Sequence, residues 1–269
     1  MYHYSFLQWL AFFYIYSFFG WIFESSYVSV KNRRLVNRGF LRLPLLPLYG
    51  TGAVMMLWVS LPVQNHLFLV YISGVIAATI LEYITGCVME HLFKIKYWDY
   101  SDQRFQYKGY ICLSSSIAWG FLTILLTEIL HRPVSDLVLH LTLPELTAGV
   151  CIISVFFVCD TFQSVREALK LGQTLESLTQ LKTELEELQV QLALLKAETT
   201  AKLSQAKEDR MEDLNLRIQH LTNKRREFTS HISFYHRGLL KGNPSAVSKR
   251  FNAALLELKD FAAKRRTPK

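Results

Sequence analysis

The sequence predicts an all-α membrane protein, a polytopic bundle of about five transmembrane helices with a cytoplasmic C-terminal coiled-coil tail. Three observations carry that expectation. Of the 269 residues 51% are hydrophobic and 13% aromatic. Apolar runs of about 20 residues, enough to cross a hydrocarbon core of about 30 Å, recur through the first 162 residues. Charge is also lopsided: residues 1–162 carry 10 Lys/Arg and 9 Asp/Glu, against 20 and 13 in residues 163–269. The organisation that follows is a transmembrane domain over 1–165, a coiled-coil segment over 166–242 and a basic amphipathic helix over 243–269.

The expected spans are Phe6 to Val30, Leu45 to Val63, Leu67 to Leu92, Ile111 to Ile129 and Leu141 to Phe162. The loops between them set an orientation. Lys31, Arg33, Arg34, Arg38 and Arg42 fill the first loop, and Lys94, Lys96, Arg104 and Lys108 fill the third. The second loop has no Lys or Arg and the fourth only Arg132. By the positive-inside rule the N-terminus is expected outside and the tail in the cytoplasm. The N-terminus lacks the basic region and small cleavage residues of a signal peptide, so the first span is expected to persist. Cys87, Cys112, Cys151 and Cys159 form no Cys-x-x-Cys pair, and neither disulfides nor a metal site is expected.

In the tail, Leu171, Leu178, Leu181, Leu185, Leu188, Leu192 and Leu195 follow the three- and four-residue steps of a coiled-coil seam. The register breaks over Thr199 to Arg210 and resumes at Met211, Leu214, Ile218 and Leu221, which fits a helical hairpin, a stutter in one helix, or dimerisation. After the breaker Gly242-Asn243-Pro244-Ser245, the residues Val247, Phe251, Leu255, Leu258 and Ala262 trace one face of a basic helix. That helix suits either the coiled coil or an anionic membrane surface. No aromatic-rich motif accompanies the charge, so nucleic acid is not an expected partner.

Two stretches 70 positions apart share a pattern. Arg38-Gly39-Phe40-Leu41 leads to Tyr49-Gly50, and Lys108-Gly109-Tyr110-Ile111 leads to Trp119-Gly120, while Gly20-x-x-x-Glu24 and Gly86-x-x-x-Glu90 precede them. Spans one and two would then be repeated in parallel by spans three and four, with Glu24 matching Glu90. Ionisable groups in hydrocarbon cost at least about 2.5 kcal/mol each and mark partners or watery cavities. Glu24, Glu82 and Glu90 therefore stand out, paired with Arg38, Arg42 or Lys108 or open to a ligand. Glu128, Glu145 and Asp160 lie near enough to a surface to be solvated. Pro44, Pro47, Gly50 and Gly52 break the second span, and Ser114-Ser115-Ser116 places hydroxyls at the start of the fourth. Both features suit a cytoplasm-facing vestibule. The candidate binding residues are Glu24, Arg38, Glu82, Glu90, Asp99, Lys108 and Ser115. No catalytic residue and no cofactor is assigned.

The segments Phe19-Gly20-Trp21-Ile22-Phe23-Glu24, Asn37-Arg38-Gly39-Phe40-Leu41 with Pro47-Leu48-Tyr49-Gly50, Leu81-Glu82-Tyr83, Trp98-Asp99-Tyr100-Ser101 and Gly109-Tyr110-Ile111-Cys112-Leu113 with Trp119-Gly120 occur in order. In them the chain resembles the bacterial membrane family named putative ABC-transporter type IV, the CmpB-like ABC transporter permeases. The resemblance covers residues 6–160 and implies a transporter membrane subunit. The chain has no Gly-x4-Gly-Lys-Ser/Thr phosphate loop, so a separate ATPase subunit would be needed. Three classes of function stay open. One is a permease-like subunit handling a small polar or amphiphilic solute through the vestibule, in contact with membrane lipids. The second is a scaffold recruiting a partner, or a second copy, through the coiled coil. The third is an intramembrane enzyme acting on a lipid headgroup, for which no nucleophile–base pair is visible.

Overall fold

The computed structural model describes residues 4–197, 205–230 and 232–264. The chain is all-α. In order come α1 (Phe6–Lys31), α2 (Pro47–Ser60), α3 (Leu67–Phe93), α4 (Leu113–Leu125), α5 (His131–His140), α6 (Leu143–Ala197), α7 (Gln205–Ser230), α8 (Phe234–Gly242) and α9 (Asn252–Lys264). A two-stranded antiparallel hairpin, β1 (Gln106–Tyr107) with β2 (Ile111–Cys112), sits between α3 and α4.

Among the described residues, four helical segments are long and apolar enough to cross a membrane: Phe6–Lys31, Leu67–Phe93, Leu113–His140 and Leu143–Ala197. Their apolar residues point outward as well as inward. Phe6, Phe19 and Phe23 on α1, Ile76, Ile80 and Ile84 on α3, and Val155, Phe156 and Phe162 on α6 are all exposed. Helices that are apolar on every face and still exposed match a lipid solvent. The second expected span is shorter. Pro47 opens α2, where its missing N–H costs nothing, and the helix gives way to a 3-10 turn at Leu61–Val63, which contains Pro62. The fourth segment runs further than expected, because α4 passes through a π-helical turn at Leu126–Leu130 into α5 and stops only at His140.

Helix α1 starts on a capping box in which Ser5 and Gln8 satisfy each other's backbone N–H. It packs against α2, α2 against α3, and α3 against α4. Phe12, Leu57, Val138, Leu146 and Val150 belong to the core they share with α5 and α6. The boundary expected at 165/166 falls inside α6, whose 55 residues make about 80 Å of continuous helix at 1.5 Å per residue. A second core gathers where α6 leaves the bundle, joining Phe93, Ile95 and Tyr97 to Leu171, Leu175 and Leu178 of α6 and to Leu239, Leu240, Leu255 and Leu258 of α8 and α9.

The tail leucines Leu171, Leu178, Leu181 and Leu185 are buried, whereas Leu188, Leu192 and Leu195 are only half-buried. Helix α7 returns along α6, with residues 216–221 beside 184–191 and residues 227–228 beside 171–174. Of the expected register break at 199–210, residues 199–204 lie outside the described residues, and α7 begins at Gln205. The segment after α8 reaches the loops of the bundle instead of standing apart. Val247 and Lys96 exchange backbone hydrogen bonds of 2.8 and 2.9 Å, and Ser248 Oγ donates to the Lys94 carbonyl at 2.7 Å.

Candidate functional site

The loop between α1 and α2 is tied down along its length. Val36 N–H donates to Ser29 Oγ (2.9 Å) and Arg38 N–H to Ser25 Oγ (3.1 Å). Leu46 N–H donates to the Ser17 carbonyl at 2.9 Å. Asp160 on α6 accepts the backbone N–H groups of Arg42 and Leu43, both at 2.8 Å. Asp160 thus anchors the loop, a role its sequence position does not suggest. Gly39, at φ 145°, takes a conformation that side-chain-bearing residues avoid.

The outcome is that Arg38 faces Glu24. Its Nε lies 3.2 Å from Glu24 Oε1, and Tyr49 Oη donates to Glu24 Oε2 at 2.7 Å. Tyr49 reaches this place because Gly20 has no side chain: a Cβ there would overlap the Tyr49 ring. Arg38 Nη1 also donates to Asn243 Oδ1 (2.7 Å) and to the Gly242 carbonyl (3.3 Å). Glu24 and Arg38 open onto a cavity of about 290 Å³ between α1, α2 and α3, whose other walls include Leu46, Leu81, Thr85, Met89 and Trp98, with Asn243 of the tail closing one side. An ion pair on one wall of a mostly apolar pocket suits a ligand that is both polar and apolar.

Glu82 sits between α3 and α4 and is 6% exposed. It accepts from Tyr100 Oη (3.0 Å), Ser115 Oγ (3.2 Å) and Trp119 Nε1 (3.1 Å). All three donors are neutral. Glu90 forms a third cluster with Tyr110 Oη at 2.5 Å and Lys96 Nζ at 3.8 Å. Lys96 is 2% exposed, lies 3.6 Å from Asp99 and donates to the Lys108 carbonyl at 2.8 Å. Burial pushes the Lys96 ammonium below its ordinary pKa, against the pull of Asp99 and Glu90.

Six of the seven expected site residues therefore fall into three groups. Glu24 and Arg38 line the cavity; Glu82 and Ser115 are bonded to each other behind α3; Glu90 and Asp99 share Lys96. Lys108 enters none of these with its side chain, which is exposed and lies over the Tyr107 ring, 5.4 Å from its centroid. The cation beside Glu90 is thus Lys96 and not the expected Arg38, Arg42 or Lys108; the positive φ values at Lys108 and Gly109 bring the Lys108 carbonyl, not its ammonium, to the cluster. Arg42 pairs with no carboxylate side chain of the spans: it stacks on Phe234 and donates to the Phe234 carbonyl. Glu128 pairs with exposed Arg132 at 3.8 Å, and Glu145 accepts from Thr142 at the start of α6.

The expected likeness of Glu24 and Glu90 has a local counterpart, since Gly20 faces the Tyr49 that donates to Glu24 and Gly86 faces the Tyr110 that donates to Glu90; a second likeness relates Glu24 to Glu82. Gly50 of α2 seats on Phe13 and Ser17, and Gly120 of α4 seats on Tyr71 and Val75. Counting 11 residues on from Phe13 and from Tyr71 reaches Glu24 and Glu82. The residue before each glycine, Tyr49 or Trp119, donates to that carboxylate, and the two rings meet edge to face at 6.4 Å. Asn243 and Lys96 are participants that the sequence pattern does not mark. So is His131, buried at 3% exposure between Tyr16 and Tyr4, both at 3.0 Å.

Exposed apolar helices, a short link between the last two and carboxylates satisfied inside the bundle define a multi-pass membrane protein. The chain belongs to the family described as Putative ABC-transporter type IV, whose model matches residues 11–165. That stretch holds the three carboxylate clusters and all of the cavity wall except Asn243. No curated protein and no solved structure matches the chain.

Proposed function

We infer that the chain is a permease-like membrane subunit that binds a small amphiphilic solute in the Glu24–Arg38 cavity. The observation that supports this most is the pairing itself: Glu24 and Arg38 lie on the wall of a cavity rather than inside packed protein, so each can exchange its partner for a solute group of opposite charge. A zwitterion with an apolar body fits both the charges and the apolar walls. The Lys/Arg asymmetry of the loops supports an N-terminus outside and a cytoplasmic tail, so that the cavity opens inward. In this reading α1–α2 and α3–α4 are parallel copies of one unit, supported by the matching seats of Gly50 and Gly120, with Glu24 and Glu82 as equivalents. Energy would come from a separate ATPase subunit, docked on the surface presented by α6 and α7 in a coiled-coil-like tail.

The test fills the cavity. Full-length protein in detergent is incubated with a small-molecule cell extract, washed and denatured, and the released solutes are identified by mass spectrometry. Thr85→Phe, which projects into the cavity, should lose a solute that the wild type retains while its melting temperature stays within a few degrees. Equal retention by both proteins would place any bound solute elsewhere.

A further inference from the structure

The first loop and α8 enclose a second cavity, also of about 290 Å³, on which Arg34, Arg42 and Arg237 converge and whose lining, among the described residues, includes no acidic one. Arg42 is fixed there. Its guanidinium lies 4.0 Å from the Phe234 ring centroid and 5.1 Å from that of Tyr235, and it fits because residue 238 is glycine; a Cβ at that position would overlap the guanidinium. The Arg42 Nε is buried and has no hydrogen-bond partner among the described residues. The nearby carboxylate of Asp160 accepts the backbone N–H groups of Arg42 and Leu43 and is not part of the cavity's described lining.

Its rim is apolar on both sides. Leu35 is 96% exposed and Phe234 is 73% exposed, and both line the cavity. The cavity lies just past Lys31, where α1 ends, so its depth is that of the headgroup layer. Apolar side chains exposed at this level are stabilised by acyl chains, and guanidinium forks match phosphate oxygens. We propose that this cavity binds the phosphate headgroup of an anionic phospholipid in the leaflet facing the tail, with Leu35 and Phe234 against its acyl chains. The bound lipid would join α8 to the first loop and so hold the tail against the bundle.

Native mass spectrometry of the full-length protein tests this with phosphatidylglycerol, phosphatidylcholine and inorganic phosphate as separate probes. Phosphatidylglycerol should bind well above phosphatidylcholine, and the R34Q/R237Q double variant should weaken it about thirtyfold, since each basic residue near an anionic lipid surface contributes about a fivefold gain. R34K/R237K should recover most of that affinity. Leu35→Ser, at a position with no packing to lose, should weaken the lipid several-fold without affecting phosphate. Equal binding of the two lipids, or phosphatidylglycerol binding unchanged in R34Q/R237Q and Leu35→Ser, would overturn the proposal. Inorganic phosphate binding as tightly as the lipid would assign the cavity to a soluble anion and overturn it equally.

Discussion

Glu24 and Glu82 each lie 11 residues past an aromatic residue on which a glycine of the next helix seats, Phe13 under Gly50 and Tyr71 under Gly120. Their surroundings differ. Glu24 has a cation, a phenol and a cavity; Glu82 has three neutral donors and close packing. A carboxylate whose partner is a cation beside open volume can trade that partner for a ligand. One held by fixed neutral dipoles in a tight seat instead fixes α3, α4 and the Tyr100 loop relative to one another. The same local geometry thus supports a binding role in one pair and a structural role in the other.

The shared seats can be broken first, and there the largest effects are expected. A methyl at Gly50 would meet the Phe13 carbonyl as well as Ser17 Oγ, whereas one at Gly120 would meet only side-chain atoms of Tyr71 and Val75. Backbone cannot rotate away, so Gly50→Ala should cost more than the roughly 1–3 kcal/mol of ordinary overpacking, and Gly120→Ala should fall within that range. Melting in detergent checks the order; equal losses would mean that the Phe13 carbonyl makes the Gly50 seat no tighter than the Gly120 seat.

The next effect sharpens the third cluster. Lys96→Met leaves Glu90 and Asp99 facing each other without their cation and should destabilise by about 2–3 kcal/mol, less than for a fully buried pair because both carboxylates are partly solvated. Lys108→Met should stay within about 0.5 kcal/mol, as for other exposed positions. A larger loss at Lys108 would contradict the placement of its side chain.

The apolar runs made the membrane helices legible, because period and length need no tertiary information. The seat glycines were legible as Tyr49-Gly50 and Trp119-Gly120. The pattern Gly20-x-x-x-Glu24 and Gly86-x-x-x-Glu90 was legible too, and each glycine faces the tyrosine that donates to its carboxylate; the relation of Glu24 to Glu82 was not, because it depends on which turn of α3 Gly120 approaches, and Tyr71 and Val75 fix that turn. Asn243 read as part of a helix breaker because nothing local records that residue 243 meets Arg38 across the fold. Lys96 sat among other loop cations, and only the strand-like bridge to Val247 shows why it is buried.

The smallest effect concerns the tail. His236 and Glu167 lie 3.4 Å apart, with Lys170 and Ser233 also bonded to Glu167. Burial holds the His236 imidazole below its ordinary value despite Glu167, and the Lys170 hydrogen bond, with Ser233 and His236, holds the Glu167 carboxyl below its own. Both groups bind fewer protons folded than unfolded, so their contribution is full above about pH 6.5, declines as the pH falls past the histidine value, and declines further below about pH 4.3. The protection of α8 against hydrogen exchange, taken relative to the intrinsic rate at each pH, should fall on acidification, and His236→Asn should flatten the upper part of that profile; an unchanged profile would remove His236 from the contact.

The most direct test of the difference between the two carboxylates is a paired measurement on Glu24→Gln and Glu82→Gln, reading retained solute and melting temperature on the same preparations. Glu24→Gln leaves Arg38 with Asn243 and the Gly242 carbonyl as acceptors, so the expected result is loss of retained solute with a stability change of about 1–2 kcal/mol. Glu82→Gln should keep the solute and melt close to the wild type, since no cation is stranded. Solute retained by Glu24→Gln, or lost by Glu82→Gln alone, would contradict the account.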